Sequence, residues 1–261
     1  MNARLPVLFV SHGAPSVALE DTAYTRALSQ FGRRHRPSAV VVVSAHWEEG
    51  QPVRVGGAKR HRALHDFSGF PEPLYELRYP APGDPDLAAE IVEGLVASGV
   101  PAALDPTRPL DHGVWVPLRF LYPDADVPIV HVALPRPRGP RAVSRIGSAL
   151  AGLRDRGTLL VGSGGAVHNL SRISFDRRDA APPDWARAFD RWLSERIAAQ
   201  DLEGLIGWRE QAPDAEAAHP TTEHLDPVFF VAGAAGASDR METLYEGFDY
   251  GSLSMRTFAL G

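Results

Sequence analysis

Residues Ser38 to Ser44 read Ser-Ala-Val-Val-Val-Val-Ser, with no charge, glycine or proline among them. β-branched side chains are stiff at χ1 and fit a pleated surface, and a strand apolar at successive positions must be covered on both faces. A parallel strand inside a sheet with helices on either side meets that demand. The rest of the chain fits the same frame. Leu5 to Ser11, Val127 to Leu134 and Thr158 to Gly162 are further apolar runs suited to strands. Thr22–Arg34, Asp86–Ser98, Val143–Arg154 and Trp185–Gln200 read as helices, the second with apolar Leu87, Ile91, Leu95 and Val96 near helical spacing. Leu110 to Trp115 leads into a short apolar helix. Val53 to Val55 suits a short strand, and Ser252 to Leu260 alternates as a closing strand. Strands alternating with helices predict an α/β fold with a largely parallel sheet. No repeat, low-complexity tract or linker divides the 261 residues, so one domain over 1–261 is expected. Arg60 to Pro85, rich in aromatics and proline, reads as one long ordered loop, and loops of that length are usually functional.

Composition excludes several chemistries. There is no cysteine, which removes thiol nucleophiles, disulfides, iron–sulfur clusters and thiolate zinc sites. Lys59 is the one lysine and Arg60 follows it, so no phosphate-binding Gly-Lys-Ser/Thr motif is present. The dinucleotide fingerprint, the nucleophile elbow and the H-E-x-x-H zinc motif are absent as well. Lys+Arg is 27 and Asp+Glu is 32, a net charge of −5 that gives no electrostatic case for nucleic acid or an anionic membrane. No apolar run approaches the ~20 residues of a membrane span, and Met1 to Pro6 lacks the layout of a signal peptide. The expectation is a cytoplasmic protein, a monomer or small homo-oligomer. Ten histidines, the carboxylates and a few hydroxyls remain for chemistry.

His12, His46 and His168 each follow an apolar run, directly or after a Gly/Ser-rich turn. In open α/β sheets the carboxyl ends of the strands border the ligand crevice, so residues distant in sequence converge there. One reading is a divalent metal held by neutral imidazoles. The other is that each histidine caps a strand or bonds a backbone carbonyl. His219 and His224 compete for a ligand position, and Glu223 offers a carboxylate beside the latter. Asp111 either orients His112 or belongs to a local turn. His35, in a basic run, reads as solvated surface and His131 as core. His61 and His65 lie in the aromatic loop within reach of a site. Trp47, Phe70, Tyr79 and Trp115 either stack an aromatic substrate or pack the core.

The chain resembles the DOPA-type class III extradiol aromatic ring-opening dioxygenases, relatives of the protocatechuate-type enzymes. The resemblance lies in Ser11-His12-Gly13-Ala14-Pro15, Ser44-Ala45-His46-Trp47, His65 to Pro71 with Tyr79 to Pro82, Asp111-His112-Gly113-Val114-Trp115, Gly162 to Leu170, and Pro220 to His224 with Pro227. These segments fall in family order. Ala14 stands where serine is common, and Gly164-Gly165 where Gly-Asn is more usual. The resemblance implies a single three-layer α/β/α domain with a mostly parallel central sheet and one divalent metal in its crevice. It implies His12, His46 and His224 as metal ligands. His168 is then a fourth ligand in a zinc-filled resting form or the acid/base, and His112 the second catalytic histidine. Fe(II) with open positions would host an aromatic diol and O2, and a histidine would take and return a phenolic proton. Zn(II) suits the same imidazoles without the redox step. A zinc hydrolase and a non-catalytic metal- or small-molecule-binding protein are the competing functions.

Overall fold

The valines at 40 to 43 lie in the middle of an eight-stranded sheet, all buried. The computed structural model describes residues 4–137 and 139–261, so the N-terminal reading begun at Met1 falls partly outside the described residues. In chain order the strands are β1 (Val7–Ser11), β2 (Ala39–Glu49), β3 (Val53–Gly56), β4 (Ala102–Asp105), β5 (Ile129–Pro135), β6 (Thr158–Gly164), β7 (Met241–Tyr245), β8 (Phe248–Asp249), β9 (Leu253–Ser254) and β10 (Thr257–Leu260). The sheet order among the described residues is β4-β3-β5-β2-β6-β1-β10-β7, and β8 pairs with β9 in a separate ribbon. β5, β2, β6 and β1 run parallel. β3 is parallel to β4 but antiparallel to β5, and β10 is antiparallel to both β1 and β7. The centre is therefore parallel and the margins mixed.

The helices are α1 (Ala23–Arg34), α2 (Glu72–Glu76), α3 (Pro85–Ala97), α4 (His112–Leu121), α5 (Pro140–Leu150), α6 (Asp184–Ala198), α7 (Leu202–Ile206), α8 (Trp208–Gln211), α9 (Ala215–Ala218) and α10 (Asp226–Ala234). Side chains alternate across each strand and make two cores. Leu8, Val10, Val40, Val42 and Val161 pack with Leu28 and Phe31 of α1 and Trp115 and Leu118 of α4. Val7, Phe9, Val41, Val43 and Leu160 pack with Ile91 of α3, Ile146 of α5, Phe189 of α6 and Val228 of α10. The result is the expected helix–sheet–helix layering. The Thr22 and Thr25 side chains cap the start of α1 reciprocally.

Several boundaries differ from expectation, each for a local reason. β2 continues to Glu49, so His46 lies within the strand rather than after it. The segment 60–85 contains α2 and is pinned by bridges Arg60↔Pro82 and Ala63↔Leu110. The helix expected to Arg154 gives way after Leu150 to a 3₁₀ turn, which ends at Gly157 with φ of 82°. The closing strand breaks between β9 and β10. There the Ser254 hydroxyl donates to Asp190 at 2.7 Å and the Arg256 guanidinium pairs with the same carboxylate at 2.6 Å, tying the break to α6. Among the described residues no helix is long and apolar enough to cross a membrane.

Candidate metal centre

β2, β6 and β1 are neighbours, so their carboxyl ends open side by side. His12 directly follows β1, with its backbone N–H on the Gly164 carbonyl at 3.0 Å. His46 lies in the outer part of β2, where its pairing with β5 shifts register between Val43 and Glu48. His224 comes from the turn ahead of α10, and its carbonyl accepts from the Gly165 N–H at 2.8 Å. A Cβ on Gly164 would sit 2.1 Å from that carbonyl oxygen, so glycine alone lets the His224 turn close onto the end of β6. Ring nitrogens of His12, His46 and His224 all lie within 4.8 Å of one another. The Nε2 atoms of His12 and His46 are 3.0 Å apart.

The tautomer of His12 traces back to a proline. Pro117 lies inside α4 and has no N–H, so the Gly113 carbonyl four residues earlier lacks its helical donor. The Ser163 hydroxyl donates to that carbonyl. A hydroxyl has one proton, so the Ser163 oxygen accepts from His12, whose Nδ1 lies 2.9 Å away. In the neutral ring this leaves the lone pair on Nε2, the nitrogen that faces His46. Asp66 fixes His112 similarly, its Oδ1 accepting from the ring Nδ1 at 2.9 Å and from the backbone N–H at 3.0 Å.

Burial holds the imidazoles of His12, His46, His168 and His224 uncharged at neutral pH. It is the first cause that lowers His12 and His224 well below the ordinary value, His46 to about 3 and His168 to about 4. Neighbouring imidazoles add to it at His12, His46 and His224, while the Glu223 carboxylate partly opposes it at His168. Burial alone would raise Asp66, but its hydrogen bonds from His112 outweigh that and hold it at about 2. Uncharged imidazoles with lone pairs directed at one another are the donor set of a divalent cation. Two nitrogens each about 2.1 Å from one ion, at a right angle, are about 3.0 Å apart. The His12–His46 spacing fits that figure.

The other histidines divide into neighbours and outsiders. His168, four residues past β6, stacks on the His224 ring with centroids 3.4 Å apart and planes 4° from parallel. His112 opens α4, its ring 4.0 Å from that of His46 and 5.3 Å from that of His12. Asp111 does not orient it. That carboxylate accepts from Ser44 at 2.7 Å and lies 3.4 Å from Nε2 of His131, which is buried in β5. Glu223 Oε1 is 3.3 Å from His224 Nδ1 and accepts from Thr221, and it is not part of the nitrogen cluster. The His219 ring bonds the Ala166 carbonyl and the His61 ring that of Ile129. His65 packs near Phe67, Tyr75 and Trp115. His35 is half-buried against Phe31, not solvated as its basic neighbours suggested.

His12, His46, His112, His168 and His224 face a cavity of about 440 Å³. Of the four aromatics singled out in sequence, Phe70 lines it. Trp47 packs on His131, Tyr79 donates to the Leu118 and Tyr122 carbonyls, and the Trp115 indole donates to the Leu64 carbonyl. Sequence reasoning missed Asp66, Ser163 and the wall residues Phe67, Phe175 and Tyr250. A proline inside an apolar helix was the one available sign of the Ser163 arrangement.

Residues 6–258 match the family model described as the catalytic LigB subunit of aromatic ring-opening dioxygenase. The chain is 37% identical to the 4,5-DOPA dioxygenase extradiol of Escherichia coli K12, over 100% of this chain and 96% of that protein. It is 36% identical to the protein of the same name from Beta vulgaris, over 96% of this chain and 94% of the relative. The crystal structure of an uncharacterized protein from Escherichia coli K12 superposes with a TM-score of 0.84 at 34% identity, covering 99% of this chain and 100% of that one.

Proposed function

The chain belongs to the family of catalytic subunits of aromatic ring-opening dioxygenases and is an extradiol ring-cleaving enzyme, and on that footing we propose that it opens a catechol beside its diol with O2. In this reading His12, His46 and His224 hold one divalent ion, Fe(II) in the active form, and zinc can fill the same imidazoles without supporting the redox step. When bound, Fe(II) supplies open coordination positions where diol and dioxygen meet. All 261 residues act as one catalytic domain, working in the cytoplasm.

His168 is the acid/base. A ligand lone pair lies in the plane of its ring, and one ion cannot lie in two parallel planes. The stack of His168 on His224, 4° from parallel, therefore favours a free His168 over a fourth ligand. Its ring is uncharged at neutral pH and half-buried, so it can accept a phenolic proton and return it. His112 presents Nε2 as its unbonded nitrogen, because Asp66 holds Nδ1. That nitrogen can accept a hydrogen bond from the substrate and so orient it.

The observation that supports this most directly is the placing of three imidazole nitrogens within 4.8 Å of one another at a cavity lined by two further histidines. The test is anaerobic loading with Fe(II), then a catechol panel with an oxygen electrode and a spectrophotometer. Oxygen uptake with a yellow ring-opened product is expected, and none when one hydroxyl is methylated. Uptake by the methylated analogue, or by no catechol in the confirmed Fe(II) form, refutes the reading. Ester cleavage by the zinc form would favour a hydrolase instead.

A further inference from the structure

We propose that the catechol taken here bears an uncharged, apolar substituent, not a carboxylate or amino-acid side chain. The proposal rests on the ring-opening reading above and concerns what the outer cavity selects. With the diol at the histidines, the substituent meets Phe67, Phe70, Leu170, Ile173, Phe175 and Leu253. Among the described residues no Asp, Glu, Lys or Arg lines this cavity, and the hydroxyls of Tyr250 and Ser68 are its polar side chains beyond the histidines. At about 440 Å³ it lies within the ~300–1,000 Å³ typical of sites for larger ligands, so a bare catechol would leave much of it empty.

Two arginines close in sequence to the wall are engaged elsewhere. Arg172 sits between Leu170 and Ile173 in sequence, but its guanidinium is 5.4 Å from the Trp185 ring centroid and borders a neighbouring groove. Arg178 is paired with Glu20 and with Asp249 at 2.7 Å. Asp176 and Arg177 follow Phe175 without lining the cavity. A substrate carboxylate would find no cationic partner here, only the Tyr250 and Ser68 hydroxyls, whereas an alkyl or aryl group would cover apolar side chains that now face solvent. Phe175 is 71% and Leu170 54% exposed, unusual for residues of their size.

Propylcatechol, dihydroxyphenylpropionate and DOPA share the ring and the length of the side chain and differ in charge. Calorimetric titration of each into the zinc-loaded protein reads binding without turnover. Propylcatechol is expected to bind about tenfold or more tightly than either charged analogue, with the same order in kcat/KM of the Fe(II) form. Equal or tighter binding of a charged analogue overturns the proposal and leaves the ring-opening reading standing. The binding order without ring opening of any catechol upholds the preference and defeats that reading. Phe175→Arg, at an exposed position, is expected to shift the ratio toward dihydroxyphenylpropionate by about tenfold. A ratio unmoved by Phe175→Arg overturns the wall as its source.

Discussion

Ser163→Ala tests whether the His12 tautomer is set from α4. The substitution removes the donor to the Gly113 carbonyl and the acceptor 2.9 Å from His12 Nδ1. His12 is 3% exposed, so its N–H is left buried and unpaired. One such group costs about 1–3 kcal/mol, and urea unfolding of the metal-free protein should show a loss in that range. The ring can then carry its hydrogen on Nε2, which removes the lone pair from the cluster. Loss of a partner that orients a ligand weakens metal binding by about 10–100-fold, measurable by chelator competition. Pro117→Ala separates the two effects. It restores an N–H that competes for the Gly113 carbonyl, freeing the Ser163 proton to point at His12 Nδ1. Stability should hold or rise, since alanine is the better helix former by about 3 kcal/mol in an interior position, while metal affinity falls. Unchanged affinity in Ser163→Ala, or a Pro117→Ala protein that loses stability alone, refutes the reasoning.

His12→Ala, His46→Ala and His224→Ala should each abolish the roughly one ion per chain read by elemental analysis, and full occupancy in all three would sink the ligand assignment. His168→Gln should lower turnover by about 10²–10⁴-fold while ion content stays near the parent's; a parallel loss of ion would make it a ligand. The buried imidazoles titrate near 6.5 when unfolded but at about 3 for His46 and about 4 for His168 when folded. The unfolded state therefore binds more protons in that window, and the stability of the metal-free protein, full above pH 6.5, should fall as pH drops through it. Asp111, raised by burial from 3.8 to about 6, opposes this between those two values and so makes the fall shallower. A melting temperature that stays flat from pH 7 to 4 would contradict the burial argument. Arg154→Ala should cost about 3–5 kcal/mol in urea unfolding, because it strands the Asp239 carboxylate 2.6 Å from a fully buried guanidinium that also holds the Leu5, Ala234 and Leu260 carbonyls.

The sheet was legible because its signal is repeated. Val40 to Val43, Leu8 and Val10, and Leu159 to Val161 each sit between two helical layers, and burial on both faces leaves an unbroken apolar run in the sequence. The short elements were not legible. β4 pairs only at an edge with half-covered side chains, and α7 to α9 are single turns whose places are set by packing on α6 and α10. At the centre, the histidines could be collected from strand ends, but choosing among them required contacts. His219 and His224 are five residues apart, and only the Gly164–His224 approach brings one to the cluster and leaves the other on the Ala166 carbonyl. Asp66 bonds His112 across 46 residues, and of the two readings open for the adjacent Asp111, orienting His112 or a local turn, the first fails while Asp111 stands at the start of α4.

The proposed ion donors and the proposed substrate wall are built on different parts of the fold. His12 and His46 leave the central parallel strands, and His224 is fastened to β6 by a backbone contact that admits glycine alone at position 164. The wall comes mostly from connections: Phe67 and Phe70 ahead of α2, Leu170, Ile173 and Phe175 after β6, and Tyr250 between β8 and β9, with Leu253 at the start of β9. Two of these are sewn together by backbone bonds, the Ser174 N–H to the Tyr250 carbonyl at 2.8 Å and the Tyr250 N–H to the Arg178 carbonyl at 2.7 Å. Loops tolerate substitution far better than a strand buried on both faces. A change at Leu170 or Phe175 alters what the cavity admits without touching the nitrogen cluster, whereas a change at Gly113, where a Cβ would meet Ser44 Oγ at 2.5 Å and His46 Cδ2 at 3.1 Å, displaces a donor directly. On the proposed reading, ring-opening chemistry can thus stay fixed while the accepted catechol changes, and a chain 36–37% identical to relatives named for DOPA can take a different one.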